Sequence, residues 1–157
     1  MFIARHEKVS HSISLPISAD EAIEFFTPEG ERMWVEGWAP RYLHPANGET
    51  IEGMVFETGE GAELTYWTVA DFDLPGCRAR YSRVTPGSRS TLVEVLCRAD
   101  GESACRVEVG YTLTGLSEAG NAAIDAFIGN AYVEMIEGWR TRIIEHLKRM
   151  PHRISSP

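Results

Sequence analysis

The sequence predicts an α+β domain in which a curved antiparallel sheet of about six strands wraps around a long C-terminal helix, with two short helices after the first strand. Three observations predict this class. Residues 6–15 alternate between apolar and polar side chains, as a half-buried strand does. Five further strand-like segments follow between residues 53 and 116 with no helix between them, and from residue 117 the chain has the pattern of a helix.

In the first strand, the side chains at alternate positions that share the more apolar side are Val9, His11, Ile13 and Leu15. Pro16 ends this strand. Ser18 and Glu21 then have the spacing of a capping box, in which each residue satisfies a free amide of the other. This predicts a short helix over residues 19–26.

After Pro28, residues 29–35 form the second short helical segment. Residues 37–50, GWAPRYLHPANGET, are predicted to be irregular because prolines and glycines interrupt regular structure. Three large aromatic side chains fall in or beside this segment, and either they form a lid over an apolar site or they cap the core: Trp34, Trp38 and Tyr42.

Five consecutive strands with short turns predict an antiparallel meander, over residues 53–58, 62–71, 77–85, 89–99 and 103–116. If Pro86-Gly87-Ser88 is a three-residue loop, Tyr81 lies opposite Val93 and Ala79 opposite Val95. This register places the apolar residues of neighbouring strands on one face.

The strand at residues 62–71 has an ambiguous face. Leu64, Tyr66 and Phe72 favour one side, whereas Trp67 and Val69 favour the other. The sequence leaves open which of these sets points inward.

Ser117 is a predicted N-cap, and no proline interrupts the segment that follows it as far as Met150, so one helix is expected. Pro151 ends this helix. The apolar positions recur every three or four residues and form a stripe that should face the sheet: Ile124, Phe127, Ile128, Ala131, Met135, Trp139, Ile143 and Leu147.

At 157 residues the chain has the size of one domain, assigned to residues 1–150, and the polar residues 151–157 are expected to be a flexible tail. The net charge of −8 disfavours nucleic acid as a partner. An odd number of cysteines without a CxxC pair or a secretory segment favours reduced thiols and a cytoplasmic protein. No segment approaches the roughly 18 apolar residues of a membrane-spanning helix, so stable membrane insertion is not expected.

The order of these elements resembles the START/SRPBCC superfamily, the helix-grip fold of Bet v 1-like and polyketide cyclase/dehydrase-like proteins. Four segments carry a closer resemblance to a largely uncharacterised bacterial branch of it: WVEGWAPRYLHP, GMVFET, YSRVTPGS and VGYTLTGLSEAGN. The resemblance covers nearly the whole chain. It implies an apolar cavity between the sheet and the long helix, which in this superfamily holds lipids, polyketides or other hydrophobic molecules.

A ligand pocket needs apolar walls with a few polar groups among them, and the inward-facing side chains of this sequence supply both. The residues predicted to bind the ligand are His11, Trp38, Tyr42, Phe56, Trp67, Tyr81, Val95, Tyr111, Phe127, Ile128, Ala131 and Met135. His11 is also a weak catalytic candidate, because an imidazole titrates near neutrality, although a structural histidine with a satisfied partner is the other interpretation. Arg83 shares the Tyr81 face near a strand end, where it is either solvated or pairs with a ligand carboxylate.

The sequence shows no pair of carboxylates on the inward face, no metal-ligand spacing among its histidines and no glycine-rich phosphate loop, so neither a metal nor another cofactor is expected. We therefore expect a protein that binds a small hydrophobic ligand, lipid-like or polyketide-like. One alternative is a cyclase or dehydratase that uses His11 or a cavity tyrosine for proton transfer. The other is a protein-interaction module that uses a sheet edge or the basic helix end near Arg149. Whether the protein is an enzyme or a homodimer stays open.

Overall fold

A computed structural model describes residues 1–150, so the predicted tail at residues 151–157 lies outside the described part. The strands are β1 (His6–Leu15), β2 (Arg41–His44), β3 (Val55–Thr58), β4 (Thr65–Asp73), β5 (Arg78–Thr85), β6 (Arg89–Ala99) and β7 (Cys105–Gly115). The helices are α1 (Ala19–Glu24), α2 (Pro28–Glu31), α3 (Glu118–Phe127) and α4 (Asn130–Lys148).

The strands form one antiparallel sheet in the order β1-β7-β6-β5-β4-β3-β2, with the long helix α4 near the C-terminus. This is the predicted helix-grip architecture, with seven strands rather than about six. The additional strand, β2, lies in the segment that was predicted to be irregular. It is an edge strand paired only with β3, and an edge position leaves backbone groups unpaired on one side and tolerates a proline directly after it.

The predicted register of the central hairpin is confirmed, because Tyr81 pairs with Val93 and Ala79 with Val95. The loop at Pro86 therefore has the length inferred from its turn residues. The same alternation of inward and outward side chains continues in β7. Its inward side chains are fully or almost fully buried: Cys105, Val107, Val109, Tyr111 and Leu113.

The face of β4 is resolved by a bulge. Val69 pairs with Tyr81 and Phe72 with Ala79, so the register shifts by one residue between Val69 and Asp71. Residues before the shift and residues after it therefore follow opposite parities, which explains the mixed pattern. Trp67 and Val69 point inward, whereas Tyr66 is exposed.

The two short helices begin at capped positions. The Ser18 hydroxyl accepts the amide of Glu21 at 3.2 Å, as the capping box predicted, and the helix ends at Glu24 rather than Phe26. The hydroxyl of Thr27 accepts the amide of Gly30 at 3.0 Å, and Pro28 occupies the first turn of α2. Helix α2 ends at Glu31, four residues earlier than predicted, and turns continue beyond it.

The predicted single C-terminal helix is wrong, since it divides into α3 and α4. Ser117 caps α3 by accepting the amide of Gly120 at 3.0 Å, as predicted. The break follows at Ile128, which is extended, and Gly129, whose φ of 79° with ψ of −135° is accessible in practice only to glycine.

This break changes which residues of α4 face the sheet. Ala131, part of the predicted stripe, is exposed. Met135 and Trp139 are half-buried. The buried side chains of α4 are Tyr132, Ile136, Ile143 and Leu147.

The core is continuous between the concave side of the sheet, α1, α3 and α4. It includes all three cysteines, which are buried and not joined in disulfides. Within residues 1–150, no helix combines the length and the apolar character needed to cross a bilayer.

Candidate functional site

A cavity of about 170 Å³ lies between the concave side of the sheet, the segment after α1 and one face of α4. Its wall is mainly aromatic and aliphatic. The lining residues are Phe26, Glu31, Val35, Trp38, Phe56, Trp67, Tyr81, Arg83, Val93, Val95, Tyr111, Met135 and Trp139. A larger groove of about 690 Å³ lies on the other side of the sheet, but most of its lining side chains are polar or charged, and it lacks the apolar enclosure of a small-molecule site.

Aromatic side chains pack against one another along one wall of the cavity. The rings of Phe56 and Trp67 stack at 5.4 Å with an interplanar angle of 10°. Trp38 meets Trp67 edge-on at 5.8 Å, and Tyr81 meets Trp67 at 6.2 Å. Such edge-to-face and stacked pairs add to the stability gained by burial, so this wall is preorganised.

Three aromatic side chains of this wall already use their polar atoms within the fold. Trp38 Nε1 donates to the Pro28 carbonyl at 2.8 Å, and Trp67 Nε1 donates to Thr58 Oγ1 at 2.9 Å. The Tyr81 hydroxyl donates to the Phe26 carbonyl at 2.5 Å. These bonds fix the rings in place and leave these donor hydrogens unavailable to a ligand.

Arg83 points into the cavity from β5, on the same side of the strand as Tyr81. Its guanidinium carbon lies 5.0 Å from the centre of the Trp67 ring and 5.3 Å from that of Tyr111, both within the range of cation–π attraction. Within residues 1–150, Arg83 forms no hydrogen bond or ion pair. Its N–H groups are therefore held on aromatic faces without an acceptor.

Glu31 lines the cavity from the end of α2. Close packing of α2 against the end of α1 places Glu31 at the cavity. A Cβ atom on the preceding residue, Gly30, would lie only 1.8 Å from the Glu24 carbonyl oxygen. Burial raises the pKa of Glu31 from 4.5 to about 8, against the lowering effect of the positive charge on Arg83. The carboxyl group forms no hydrogen bond or ion pair with any other residue in the described range 1–150. Near neutral pH it is mostly protonated.

Tyr111 completes the polar part of the cavity from β7. Its ring packs at 5.5 Å from Phe127 and 5.4 Å from Tyr132. Burial raises the pKa of the Tyr111 phenol, Arg83 lowers it and Glu31 raises it, so these three side chains are electrostatically coupled. In the described residues, the Tyr111 hydroxyl has no hydrogen-bond partner.

The structure brings together many of the residues predicted to bind a ligand. Those that line the cavity are Trp38, Phe56, Trp67, Tyr81, Val95, Tyr111 and Met135. The register of β5, β6 and β7 explains the placement of Tyr81, Val95 and Tyr111, because it puts every second side chain of these strands on the concave side.

The other predicted residues lie elsewhere. His11 bridges β1 to α4, with Nε2 2.6 Å from Glu137 Oε2. The Tyr42 hydroxyl donates to Glu29 Oε2 at 2.7 Å, near the edge of the sheet. Phe127 and Ile128 are half-buried at the end of α3 without lining the cavity, and Ala131 is exposed.

Sequence reasoning did not select Glu31, and it left Arg83 with two interpretations. A signal for Glu31 existed, since it lies four residues before Val35 and shares a helical face with it. That signal was weak because a glutamate on a short helix normally faces water. Other lining residues that were not selected are Phe26, Val35, Val93 and Trp139.

Comparison with known proteins identifies the fold. No protein-family model matches the chain, and no curated protein matches it. Norcoclaurine synthase from Thalictrum flavum has a similar structure, with a TM-score of 0.64 at 11% identity over 91% of this chain and 89% of that one. A hypothetical protein from Helicobacter pylori has a TM-score of 0.71 at 12% identity, over 89% and 87% of the two chains.

DynU16, a protein of the dynemicin biosynthetic locus, is similar with a TM-score of 0.58 at 16% identity. This chain covers 46% of DynU16, while the match includes 87% of the present chain. At such identities the likeness concerns the fold. It supports a Bet v 1/SRPBCC-type fold, in agreement with the strand order and the position of α4.

Proposed function

We propose that the protein binds a small, mostly apolar molecule in the cavity between the sheet and α4. The observation that carries this proposal is a space of about 170 Å³ inside an ordered aromatic wall. Apolar cavities of ~150 Å³ admit benzene in other proteins. Within the lipid-like or polyketide-like class, this volume favours one aromatic ring with a small substituent.

The structural neighbours support a ligand of this kind. One structure of norcoclaurine synthase is a complex with dopamine and hydroxybenzaldehyde, each a single-ring aromatic molecule. Burial of roughly 200 Å² of an aromatic ligand would contribute about 5 kcal/mol. Since association losses offset part of this gain, we expect dissociation constants in the micromolar to millimolar range.

We assign Trp38 the role of covering the cavity. Trp38 lies in the segment between α2 and β2, and its ring is half-buried against Phe56 and Trp67. A flat ring on an irregular segment closes an apolar site with little loss of rotamer freedom.

Fluorobenzene is a suitable neutral probe because its ¹⁹F NMR signal shifts and broadens when it enters an aromatic cavity. Val95→Phe should abolish saturable binding, because the added ring occupies the cavity next to Tyr81. Leu96→Phe is the matched control, since the neighbouring residue faces the outer side of β6. Unchanged binding to a folded Val95→Phe variant would refute an internal site.

A cavity enzyme is the second candidate, and Glu31 is the observation that favours it. A carboxyl group with a pKa of about 8 can accept and return a proton near neutrality. Beside it, the cation of Arg83 can stabilise an enolate oxygen that forms when a proton is removed from the carbon next to a carbonyl group. This arrangement suits the cyclase or dehydratase alternative with Glu31, rather than His11, as the acid–base group.

Deuterium exchange into phenylacetone in D₂O tests this second candidate. Glu31, as the carboxylate, would remove a proton from the benzylic carbon, and Arg83 would stabilise the enolate. The carboxyl group would exchange that proton for a deuteron from D₂O and return the deuteron to carbon. Glu31→Gln should abolish the exchange catalysed by the protein, whereas His11→Ala should retain it. Equal exchange with wild type and Glu31→Gln would exclude this role for Glu31.

A further inference from the structure

The polar groups that remain unpaired in the cavity can all donate hydrogen bonds near neutral pH. Arg83 has five N–H groups and no acceptor within residues 1–150. The Tyr111 hydroxyl likewise has no partner there. Glu31, mostly protonated at pH 7, contributes a third donor. A neutral apolar ligand would leave all three without an acceptor, and unpaired buried donors are costly.

The charge of the cavity favours the same kind of ligand. The protein carries a net charge of −8, yet Arg83 points inward, between the faces of Trp67 and Tyr111. No acidic side chain forms an ion pair with Arg83 in the described residues. With Glu31 mostly protonated near neutral pH, the site therefore presents a cation without an ion-paired carboxylate, among mainly apolar walls.

We infer that the cavity selects a flat aromatic molecule that carries a carboxylate, with the carboxylate on Arg83 and the ring against the wall formed by Trp67 and Phe56. This inference rests on the proposed binding function and specifies its ligand class. A planar guanidinium matches the two oxygens of a carboxylate in a way that a single-oxygen anion does not. The hydroxyl of Tyr111 and the carboxyl proton of Glu31 supply further donors to the same oxygens.

Glu31 makes this recognition dependent on pH. The titratable or charged groups that face it are Arg83 and Tyr81 from β5 and Tyr111 from β7, while α4 presents the uncharged Met135 and Trp139. When Glu31 loses its proton, it stops donating and repels a bound anion. Carboxylate affinity should therefore be highest between about pH 5, where the ligand itself is ionised, and pH 8, and should fall above pH 8.

Two probes of nearly the same shape test the inference by ¹⁹F NMR. They are 4-fluorobenzoate and 1-fluoro-4-nitrobenzene, which has a neutral nitro group in place of the carboxylate. At pH 7 we expect wild type to bind 4-fluorobenzoate about 10- to 100-fold more tightly, the range of a charged hydrogen-bond pair. Arg83→Met should remove this preference and retain the nitro compound. The matched control Arg80→Met, on the outer side of the same strand, should keep the preference.

The pH dependence provides a second measurement. Between pH 7 and pH 9.5 the affinity of wild type for 4-fluorobenzoate should fall by up to about 30-fold, if binding requires protonated Glu31. The affinity of Glu31→Gln should stay constant over this interval, as should binding of the nitro compound to wild type.

The outcomes separate the two proposals. If fluorobenzene and the nitro compound bind but 4-fluorobenzoate binds no better, the carboxylate inference is wrong and the binding function stands. If none of the three probes binds to wild type, both proposals are wrong. Because the wild-type preference is itself decisive, the test does not depend on whether Arg83→Met folds.

Discussion

Replacing Glu31 with glutamine should stabilise the protein at neutral pH. The carboxyl group has a pKa of about 8 in the folded protein and an ordinary value of 4.5, so the folded state holds this proton more tightly than the unfolded state does. The wild-type protein should consequently be most stable, as far as Glu31 is concerned, below pH 4.5. Its stability should decrease as pH rises from 4.5 to 8 and then level off.

The size of the effect follows from the shift. Each pKa unit corresponds to about 1.4 kcal/mol, so the raised pKa of Glu31 lowers the free energy of unfolding, relative to acidic pH, by about 3 kcal/mol at pH 7 and by about 5 kcal/mol well above pH 8. Glutamine has nearly the same shape and never ionises. We therefore expect Glu31→Gln to match wild type at pH 4 and to exceed it by about 3 kcal/mol at pH 7.

Urea unfolding followed by tryptophan fluorescence between pH 4 and pH 9 measures this difference. Glu36→Gln is a suitable control, since Glu36 lies in the same segment but is exposed, and it should leave the pH dependence unchanged. Parallel pH profiles for wild type and Glu31→Gln would refute the argument. They would mean that Glu31 reaches solvent and is ionised at neutral pH.

Two further predictions concern other parts of the fold. Gly120→Ala should lower the free energy of unfolding by about 2–4 kcal/mol, because its Cβ would lie 1.7 Å from the Ser88 carbonyl oxygen. The control Gly138→Ala, with no atom within 4 Å of the added Cβ, should stabilise α4 by up to about 1 kcal/mol. Equal melting temperatures of the two variants would contradict the close packing of α3 on the β5–β6 turn. His11→Ala should lower the free energy of unfolding by less than about 1 kcal/mol and should change the affinity for fluorobenzene by less than twofold, because His11 pairs with the exposed Glu137 outside the cavity. Loss of fluorobenzene binding in calorimetry would show that His11 reaches the ligand.

The sheet could be predicted from sequence because two kinds of information agreed. Turn residues at Pro86-Gly87-Ser88 set the register, and alternating burial confirmed the same face in β5, β6 and β7. The strand β2 could not be predicted in this way, because an edge strand depends on one partner and has little pattern of its own. The bulge in β4 is likewise visible only once Val69 and Phe72 are paired with β5.

Part of the aromatic and aliphatic wall, formed by Tyr81, Val95 and Tyr111, could be predicted from the strand register, whereas the juxtaposition of Arg83 and Glu31 in the cavity could not. Arg83 was identified on the inward face of a strand, but the sequence alone could not show that Trp67 and Tyr111 would enclose it. Glu31 depends on how α2 packs against α1 through Gly30, which is a tertiary contact. The break between α3 and α4 likewise could not be predicted from the sequence pattern. Gly129 rotates the buried face of α4 away from Ala131.

Glu31 and Arg83 decide between a carrier and an enzyme because each role uses them differently. Glu31 and Arg83 have no hydrogen-bond or ion-pair partner within the described residues, and apolar residues of similar size would pack in this cavity at lower cost. A carrier for aromatic carboxylates needs Arg83 and a neutral Glu31, so Glu31→Gln should bind 4-fluorobenzoate as well as wild type does at pH 7 and better at pH 9.5. An acid–base enzyme needs the carboxylate of Glu31, so the same substitution should keep binding but abolish exchange. If wild type binds and exchanges phenylacetone while Glu31→Gln binds it without exchange, the result favours catalysis. If wild type binds ligands without any exchange, the result favours the carrier.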